Sequence, residues 1–398
     1  MNVSVKRTGG GVMTVSRLRD IPGIGVDVLG DAADAAGDPD LLRLENLDTD
    51  LRPPPVAIAA TTAALADDTA NSYLPFQGRK SLREAAAAHV GRIAGRSYDP
   101  DTECVSVAGG LNGILNTLLA IVEPGDEVVL CDPIYAGLVN RVRLAGGVPR
   151  FVPAEPGAHG WHVDPGRLAD AVGPRTAAVL MMGPAMPTGL VLGEPHWSAL
   201  ATACARHDAW LVYDAAMERI RFDGLPPSHP ASHEGLAGRT ITIGSASKEL
   251  RLIGWRVGWV VGPAPILADI RLVGLTNVVC QVGVAQEAVA AALTAGDAEV
   301  DVANATAEWR RRAETVLHQL AGYPVVPPDG GWSLLLDARP LGLAPAELSR
   351  RLFDRGRVVA TPMPGWGPSG DHYLRLVYAN EPVDRLAELG DRFREALG

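Results

Sequence analysis

The segment Ser245-Ala-Ser-Lys-Glu-Leu-Arg-Leu-Ile-Gly-Trp-Arg256 combines residue types that suit one kind of covalent chemistry. An amine that condenses with an aldehyde must be partly desolvated and near cationic or phosphate groups, so that some of it is unprotonated. Lys248 lies in such a setting, because Ser245 and Arg256 could hold a phosphate beside its amine. Gly254 and Gly258 predict that two backbone segments pass close together here. The alternative interpretation is an ordinary solvated surface lysine.

A second candidate is the glycine-rich turn Ala108-Gly-Gly-Leu-Asn-Gly113, between a predicted strand and a predicted helix. Gly109 and Gly110, followed by Leu111, allow backbone amides to approach an anion at a helix N-terminus, where the helix dipole favours negative charge. The alternative is a tight connection without a ligand.

Two charged residues stand in apolar, strand-like runs. Asp214 ends the run Trp210-Leu-Val-Tyr213, where a carboxylate costs several kcal/mol unless it is paired. A protonated pyridine nitrogen would serve as its partner, and a helix N-cap is the alternative role. Arg375, in the run Tyr373–Val377, favours a bidentate carboxylate that comes either from the protein or from a substrate.

Aromatic residues flank these positions. Tyr135 follows Asp132-Pro-Ile after a predicted strand and could stack on a planar ring, although an ordinary half-buried turn tyrosine fits equally well. Trp332 and Trp366, each beside glycines, could line an apolar pocket for a substrate side chain. Packing in the core of a small domain is the alternative for both tryptophans.

Composition narrows the class of protein. The 398 residues are 47% hydrophobic and 21% charged, as in a soluble globular protein, and the formal net charge is −10. A negative chain lacks the basic face that nucleic acid requires, and it is weakly disfavoured at anionic membranes. We find no secretory signal at the N-terminus and no apolar run of spanning length.

Cysteine usage predicts a reducing compartment. The four cysteines are widely spaced, lack any CxxC pairing and lie in apolar contexts: Cys104, Cys131, Cys204 and Cys280. Buried thiols are therefore favoured over disulfides or a metal site, and we expect a cytoplasmic protein without a metal.

The order of predicted elements indicates an α/β fold. Short apolar runs alternate with helices from about residue 53, which predicts parallel strands joined by crossover helices and buried on both faces. From about residue 300 the pattern changes to a charged amphipathic helix followed by strands near 332–336 and 373–377. We therefore predict a large ligand-binding domain at 51–295 and a smaller α+β domain at 296–398. Residues 1–50 are predicted to form an N-terminal arm that contributes to the small domain and is irregular to about residue 40.

Several motifs in the same order resemble those of the class I/II aminotransferases, enzymes of fold type I that depend on pyridoxal 5′-phosphate (PLP). The resemblance runs from Leu44 to the C-terminus and rests on these segments: Tyr73–Arg83, Pro124–Glu127, Asp132–Tyr135, Pro187–Gly189, Tyr213–Asp214, Ser245–Lys248 and Arg256. It implies a large domain with a mostly parallel sheet that binds PLP and a smaller α+β domain.

The resemblance also implies roles for single residues. Lys248 would form the Schiff base with PLP and carry the proton, and Asp214 would keep the pyridine nitrogen protonated. Tyr135 would stack on the ring, and Arg375 would bind the substrate carboxylate. The phosphate would be held by the following residues: Gly109, Gly110, Leu111, Ser245 and Arg256. Tyr73 resembles a tyrosine that reaches the phosphate of a neighbouring subunit, which implies a homodimer with active sites at its interface.

The sequence departs from the family pattern at two positions. Met186 and Met217 occupy places where the family has an asparagine and a tyrosine that donate hydrogen bonds to the phenolic O3′ of PLP. Without those donors, O3′ should keep its internal bond to the Schiff-base proton, and the Schiff base should stay protonated at neutral pH. Two polarizable thioethers would also form an apolar wall beside the ring.

Three functions follow, in decreasing order of support. The first is transamination of an α-amino acid with a keto acid, in specialised metabolism if the Ala-, Arg- and Gly-rich composition reflects a high-GC genome. The second keeps PLP but performs elimination or replacement at Cβ or Cγ, or oxygen-dependent deamination. The third is a non-catalytic regulator that binds an effector. The candidates for binding a second substrate carboxylate are Arg52, Arg79 and Arg251.

Overall fold

The computed structural model describes residues 18–398 of the chain. Its helices are α1 Val26–Ala36, α2 Pro55–Leu65, α3 Lys80–Ala94, α4 Gly110–Ile121, α5 Ala136–Leu144, α6 Pro165–Asp170, α7 Glu194–His207, α8 Glu234–Ala237, α9 Ala264–Asn277, α10 Gly283–Thr294, α11 Ala298–Gln319, α12 Pro345–Gly356, α13 Val383–Leu386 and α14 Leu389–Leu397. Its strands are β1 Leu42–Arg43, β2 Cys104–Val107, β3 Glu127–Asp132, β4 Val148–Pro153, β5 Glu155–Gly157, β6 Gly160–His162, β7 Thr176–Met182, β8 Trp210–Asp214, β9 Thr240–Ser245, β10 Gly258–Val261, β11 Val325–Val326, β12 Ser333–Asp337, β13 Val358–Val359, β14 Thr361–Pro362 and β15 Tyr373–Val377.

A seven-stranded sheet with the order β2-β10-β9-β8-β7-β3-β4 forms the centre of the molecule. The strands from β9 through β8, β7 and β3 to β4 pair in parallel, as predicted. Strand β10, which the sequence analysis did not predict, pairs antiparallel with both β9 and β2. A short connection without a crossover helix joins β9 to β10, and such a connection returns the chain in the opposite direction.

The sheet is covered by helices on its faces, which explains its continuous apolar strands. Every residue of β3 and β9 is buried. One large hydrophobic cluster joins these strands to α4, α5 and α7, and a second cluster joins β10 to α3 and α10. The carboxyl ends of the parallel strands, where ligands bind in such sheets, carry Asp132, Asp214 and Ser245.

A second, four-stranded antiparallel sheet with the order β11-β12-β15-β14 lies in the C-terminal part of the chain. Its core contains Trp309, Phe393 and Trp332, and Leu42 and Leu44 from the N-terminal segment belong to the same hydrophobic cluster. Strand β1 pairs in parallel with β13, so the N-terminal segment is joined to this part of the fold by hydrogen bonds as well. The boundaries at 51–295 and 296–398 stay a prediction.

We expected an irregular lead-in to residue 40, but within its described part α1 occupies Val26–Ala36. Gly25 (φ 81°) and Gly37 (φ 59°) bound this helix in left-handed conformations that glycine adopts without strain. Ala33 on α1 is buried against Leu41 and Val359. The first 17 residues of the predicted arm lie outside the described residues.

In residues 18–398 we find no helix that is both long and apolar enough to cross a membrane. Cys104, Cys131 and Cys204 are buried free thiols, as predicted, whereas Cys280 is partly exposed.

Candidate active site

Lys248 lies in the turn after β9, against Leu47 of the N-terminal segment and Trp332 next to β12; the region around Lys248, Asp214 and Arg375 is called the cleft below. Its Nζ donates a hydrogen bond to the carbonyl oxygen of Leu47 (2.9 Å) and lies 4.6 Å from the centroid of the Trp332 ring. Burial lowers the pKa of Lys248 to about 7; Asp48 and Asp214 oppose this shift, and the nearby arginines add to it. A substantial fraction of the amine is therefore unprotonated near neutral pH, as a nucleophilic lysine requires.

Asp214 ends β8 and is buried. Its Oδ1 accepts a hydrogen bond from the backbone N–H of Ala216 (3.1 Å), and within the described chain no arginine, lysine or histidine forms an ion pair with it. Burial raises the pKa of Asp214 to about 6, although the Ala216 N–H and the positive charges of Lys248 and Arg141 lower it. A buried carboxylate without a cationic partner favours a cationic ligand.

The glycine-rich turn forms a backbone cradle at the N-terminus of α4. Gly109 has a positive φ (84°), and a Cβ atom added there would lie 2.5 Å from Nη2 of Arg256. A Cβ atom added to Gly258 would lie 2.9 Å from the backbone nitrogen of Gly110. Ser245 lies against Gly110 from the end of β9. Backbone amides, a serine hydroxyl and a guanidinium therefore meet where a helix dipole favours an anion.

Arg375, on β15, is a fully buried cation without a carboxylate partner among residues 18–398. Its Nη2 donates to the carbonyl oxygen of Glu45 and to Oγ1 of Thr361 (3.4 Å), and its Nε has no partner. Burial lowers the pKa of Arg375 to about 10, and Tyr135 and Glu45 oppose that shift. The guanidinium lies 4.8 Å from the centroid of the Trp366 ring. An anionic ligand would supply the missing charge.

Tyr135 lies at the N-terminus of α5, and its ring meets Trp366 edge to face at 5.3 Å between centroids. Its backbone N–H donates to the carbonyl oxygen of Met186 (3.1 Å), and burial raises the pKa of its hydroxyl. Tyr135 and Arg375 therefore both contact the ring of Trp366.

Both unusual methionines are buried. Sδ of Met186 accepts from Nη1 of Arg375 at 3.7 Å. Met217 belongs to the core that contains Trp332, and a Cβ atom added to Gly331 would lie 3.7 Å from its sulfur. Met186 is thus part of the cleft around Arg375, and Met217 links that cleft to the small-domain core.

Some predicted residues lie outside this cleft. The side chain of Tyr73 is 82% exposed in the single chain. Arg79 pairs with Glu287, and Arg251 pairs with Asp301, so neither is free to bind a second carboxylate. The prediction of a close approach at Gly254 is wrong, because nothing lies within 4 Å of a Cβ atom added there.

Three further acidic or basic residues lie near this site and were not predicted from the sequence. Asp132 accepts hydrogen bonds from the backbone N–H (3.1 Å) and Oγ (2.9 Å) of Ser369, which fixes the loop that carries Trp366. Arg141 donates to the carbonyl oxygens of Leu111 (2.9 Å) and of Gly137 (2.8 Å) and so joins α4 to α5. Asp48 faces Lys248. The motif Asp132-Pro-Ile-Tyr135 was the one available signal for these contacts.

The residues of the cleft fit PLP. A nucleophilic lysine, a buried carboxylate that lacks a cation and a glycine cradle capped by an arginine match its aldehyde, its pyridine nitrogen and its phosphate. The unpaired Arg375 matches the carboxylate of an amino acid. The fold and the cleft together fit an α/β enzyme that uses PLP.

The chain belongs to the class I and II aminotransferases, whose family model matches residues 41–393. It is 33% identical to the arginine–pyruvate transaminase AruH of Pseudomonas aeruginosa over 88% of this chain and 86% of that protein. The structure of N-succinyldiaminopimelate aminotransferase from Mycobacterium tuberculosis superposes with a TM-score of 0.89 at 32% identity and covers 97% of this chain and 100% of that one. Aspartate aminotransferase from Thermus thermophilus with maleate gives 0.89 at 29% identity, with the same coverage. The protein is therefore a PLP-dependent enzyme that transfers amino groups between amino acids and keto acids.

Proposed function

We propose that Lys248 is the lysine that binds PLP and moves the proton in this transamination. One observation carries the proposal: three charged groups without ionic partners act on the pKa of the half-buried Lys248. In the described chain Asp214 has no cationic partner, and neither Arg256 nor Arg375 has a carboxylate partner. A structural lysine would be paired instead.

The roles of the residues follow from their surroundings. PLP, when bound, supplies the carbon that accepts the amino group and a ring that withdraws electrons from the substrate. Arg375 binds the substrate carboxylate and orients Cα toward Lys248, whose Nζ removes the Cα proton and holds it for return. Asp214 keeps a proton on the pyridine nitrogen. Trp366 excludes water from the face of Arg375, which strengthens its attraction for the carboxylate.

Phosphate binding is assigned to the cradle at α4. The amides of Gly109, Gly110 and Leu111 lie at the helix N-terminus, Ser245 lies against Gly110, and Arg256 lies over Gly109. Tyr135 would cover the ring of PLP. Trp332 lies against the Lys248 amine and so borders the substrate.

The donor is an α-amino acid. The relatives named above act, by name, on arginine, N-succinyldiaminopimelate and aspartate, so the family scaffold accepts cationic and anionic side chains. In this chain the wall beside Arg375 is apolar and aromatic, because Met186 and Trp366 contact the guanidinium.

A homodimer is part of the proposal. Tyr73 is 82% exposed and Phe76 is 54% exposed, although both side chains are largely apolar. Leu272, Leu275 and Val282 form further exposed apolar surface. Such residues suit an interface, in which Tyr73 would reach the phosphate cradle of the second subunit. Light scattering should give twice the mass of the 41.8 kDa chain.

The buried free thiols support a reducing compartment, and we place the enzyme in the cytoplasm on that ground. The large domain would comprise residues 51–295 and the small domain residues 296–398, with the N-terminal segment packed on the latter.

The test of the central role is Lys248→Ala. This variant should fold, should lose the visible absorption of covalently bound PLP and should not convert amino donors. Lys80→Ala removes an exposed lysine as a matched control and should change neither property. Retention of covalent PLP by Lys248→Ala would show that another residue binds the cofactor.

A further inference from the structure

The N-terminal segment around residues 45–50 contacts both Lys248 and Arg375 through its backbone carbonyls. Leu47 packs against the hydrophobic clusters of both the large sheet and the small sheet, and its carbonyl oxygen accepts the hydrogen bond from Nζ of Lys248. The next residue, Asp48, is half-buried. The segment therefore places a carboxylate one residue from a direct contact of the lysine amine.

Asp48 differs from the two other acids of this segment. Glu45 forms an ion pair with Arg43 (2.7 Å), and Asp50 forms one with Arg312 (2.6 Å). Asp48 accepts a hydrogen bond only from the backbone N–H of Thr49 (2.8 Å) and has no arginine, lysine or histidine partner in the part of the chain described. No partner charge in the described chain neutralises Asp48, so its charge can act on Lys248.

Four charged groups act on the pKa of Lys248. Asp48, the residue that follows the Leu47 carbonyl bound to Nζ, raises this pKa most; Arg375 and Arg256 lower it, and Asp214 raises it less. When the cofactor, its phosphate and the substrate carboxylate bind, Asp214 and both arginines gain ionic partners of their own. Asp48 then remains as the acid available to a positive charge on Nζ.

We propose that Asp48 is the counter-charge of the Lys248 ammonium and so holds the proton on Nζ while Lys248 carries it away from the substrate Cα. This inference rests on the proposed role of Lys248. The proton moves from Cα to Nζ and is later delivered from Nζ, so the charge of the protein is the same before and after the transfer. Asp48 touches neither substrate nor cofactor and acts as a positioning residue. The Leu47 carbonyl accepts one of the ammonium hydrogens, and Asp48 balances the charge.

The decisive variant is Asp48→Asn, which removes the charge and nearly preserves the shape. The first readout is the pH dependence of PLP capture by the full chain after removal of its cofactor, since only the free amine reacts. The midpoint for the wild-type chain should lie at about 7. Without the counter-charge the ammonium is less stable, so the midpoint should move down by about one pH unit.

The second readout uses the loaded enzyme. A less basic amine removes the Cα proton more slowly, so kcat should fall several-fold, by less than the roughly tenfold change in basicity, with little change in KM. The isotope effect with a Cα-deuterated donor should rise. The loss should be equal for methionine and for arginine as donors, because the effect acts through Lys248 and not through the substrate side chain.

Matched variants complete the test. Asp50→Asn removes the same charge two residues away, from a carboxylate already paired with Arg312, and should leave the capture midpoint unchanged. Asp48→Glu should restore the wild-type midpoint, and Asp48→Ala is a second neutral variant if the asparagine does not fold. An unchanged midpoint in a folded neutral variant overturns the proposal, as does a kcat loss confined to cationic donors. Capture of PLP by Lys248→Ala would instead contradict the proposed role of the lysine.

Discussion

The guanidinium of Arg375 lies 4.8 Å from the centre of the Trp366 ring and contacts no carboxylate among residues 18–398. A buried, unpaired cation destabilises the folded protein, so its presence here indicates a functional role. The same tryptophan meets Tyr135 edge to face, so one aromatic residue supports both the ring that would cover the cofactor and the cation that would bind the substrate. Asp132 holds the Trp366 loop in place through Ser369.

Replacement of Arg375 should lower the activity without lowering the stability of the unliganded chain. Arg375→Met should reduce kcat/KM by about 30-fold or more, since truncating one partner of a buried charge pair costs roughly 2–5 kcal/mol. The same variant should not lower the melting temperature of the unliganded chain, because it removes a buried charge that has no carboxylate partner among residues 18–398. Steady-state kinetics and thermal melts of one preparation check both. A large loss of stability would show that Arg375 has a structural role.

Replacement of Asp214 by Asn should stabilise the folded chain without PLP and destabilise it with PLP. Its pKa of about 6 in the folded chain lies above its ordinary value, so the folded chain holds this proton more tightly than the unfolded chain does. The stability contributed by that proton is therefore present at low pH and is lost as pH rises through 6. At pH 8, Asp214→Asn should stabilise the unliganded chain by up to about 3 kcal/mol. With PLP present the variant should be the less stable of the two, because the carboxylate then pairs with the pyridine nitrogen. Melting curves at pH 8 with and without PLP test both signs, and an unliganded variant that melts below wild type contradicts the account.

Gly109→Ala should weaken PLP binding. The added methyl group would collide with Arg256 and would occupy a left-handed conformation that costs about 1–3 kcal/mol for a residue other than glycine. Gly254→Ala is the matched control, since nothing lies within 4 Å of its added Cβ, and it should bind PLP as wild type does. Equal PLP affinities for the two variants, measured by equilibrium dialysis, would contradict a phosphate cradle at Gly109.

Met186 should influence the protonation of the Lys248–PLP linkage. Because a thioether donates no hydrogen bond, the linkage should stay protonated at neutral pH in the wild type. Met186→Asn, which introduces a donor, should lower the pKa of the linkage. A spectrophotometric titration measures both, and an unprotonated wild-type linkage below about pH 8 would show that another donor reaches O3′.

The regular elements were predictable where the pattern was strong and local. The strand Tyr373–Val377 has the predicted bounds, because it is a short apolar run between turn residues. Strand β10 was missed because its four residues follow directly on the Arg256 segment and lack a crossover helix. Helix α1 was missed because glycine and aspartate dominate its surroundings, and its ends depend on Gly25 and Gly37.

The cleft was predictable only in part, for a different reason. Lys248, Asp214 and Arg375 stand out because each is a charged residue in or beside an apolar run. The Leu47 carbonyl is 201 residues from Lys248 in the chain, and no local pattern reports a contact at that distance. Asp132 and Arg141 act through backbone and hydroxyl contacts that only the folded chain defines.

The most direct test of the central claim is a half-reaction without an acceptor. Purified enzyme loaded with PLP is mixed with single α-amino acids in the absence of any keto acid, and its spectrum and the released keto acid are followed. A transaminase that works through Lys248 should release one keto acid per active site, convert its cofactor to pyridoxamine phosphate and then stop until a keto acid is added. Continued release of keto acid without an acceptor would contradict transamination and would indicate elimination or oxygen-dependent deamination.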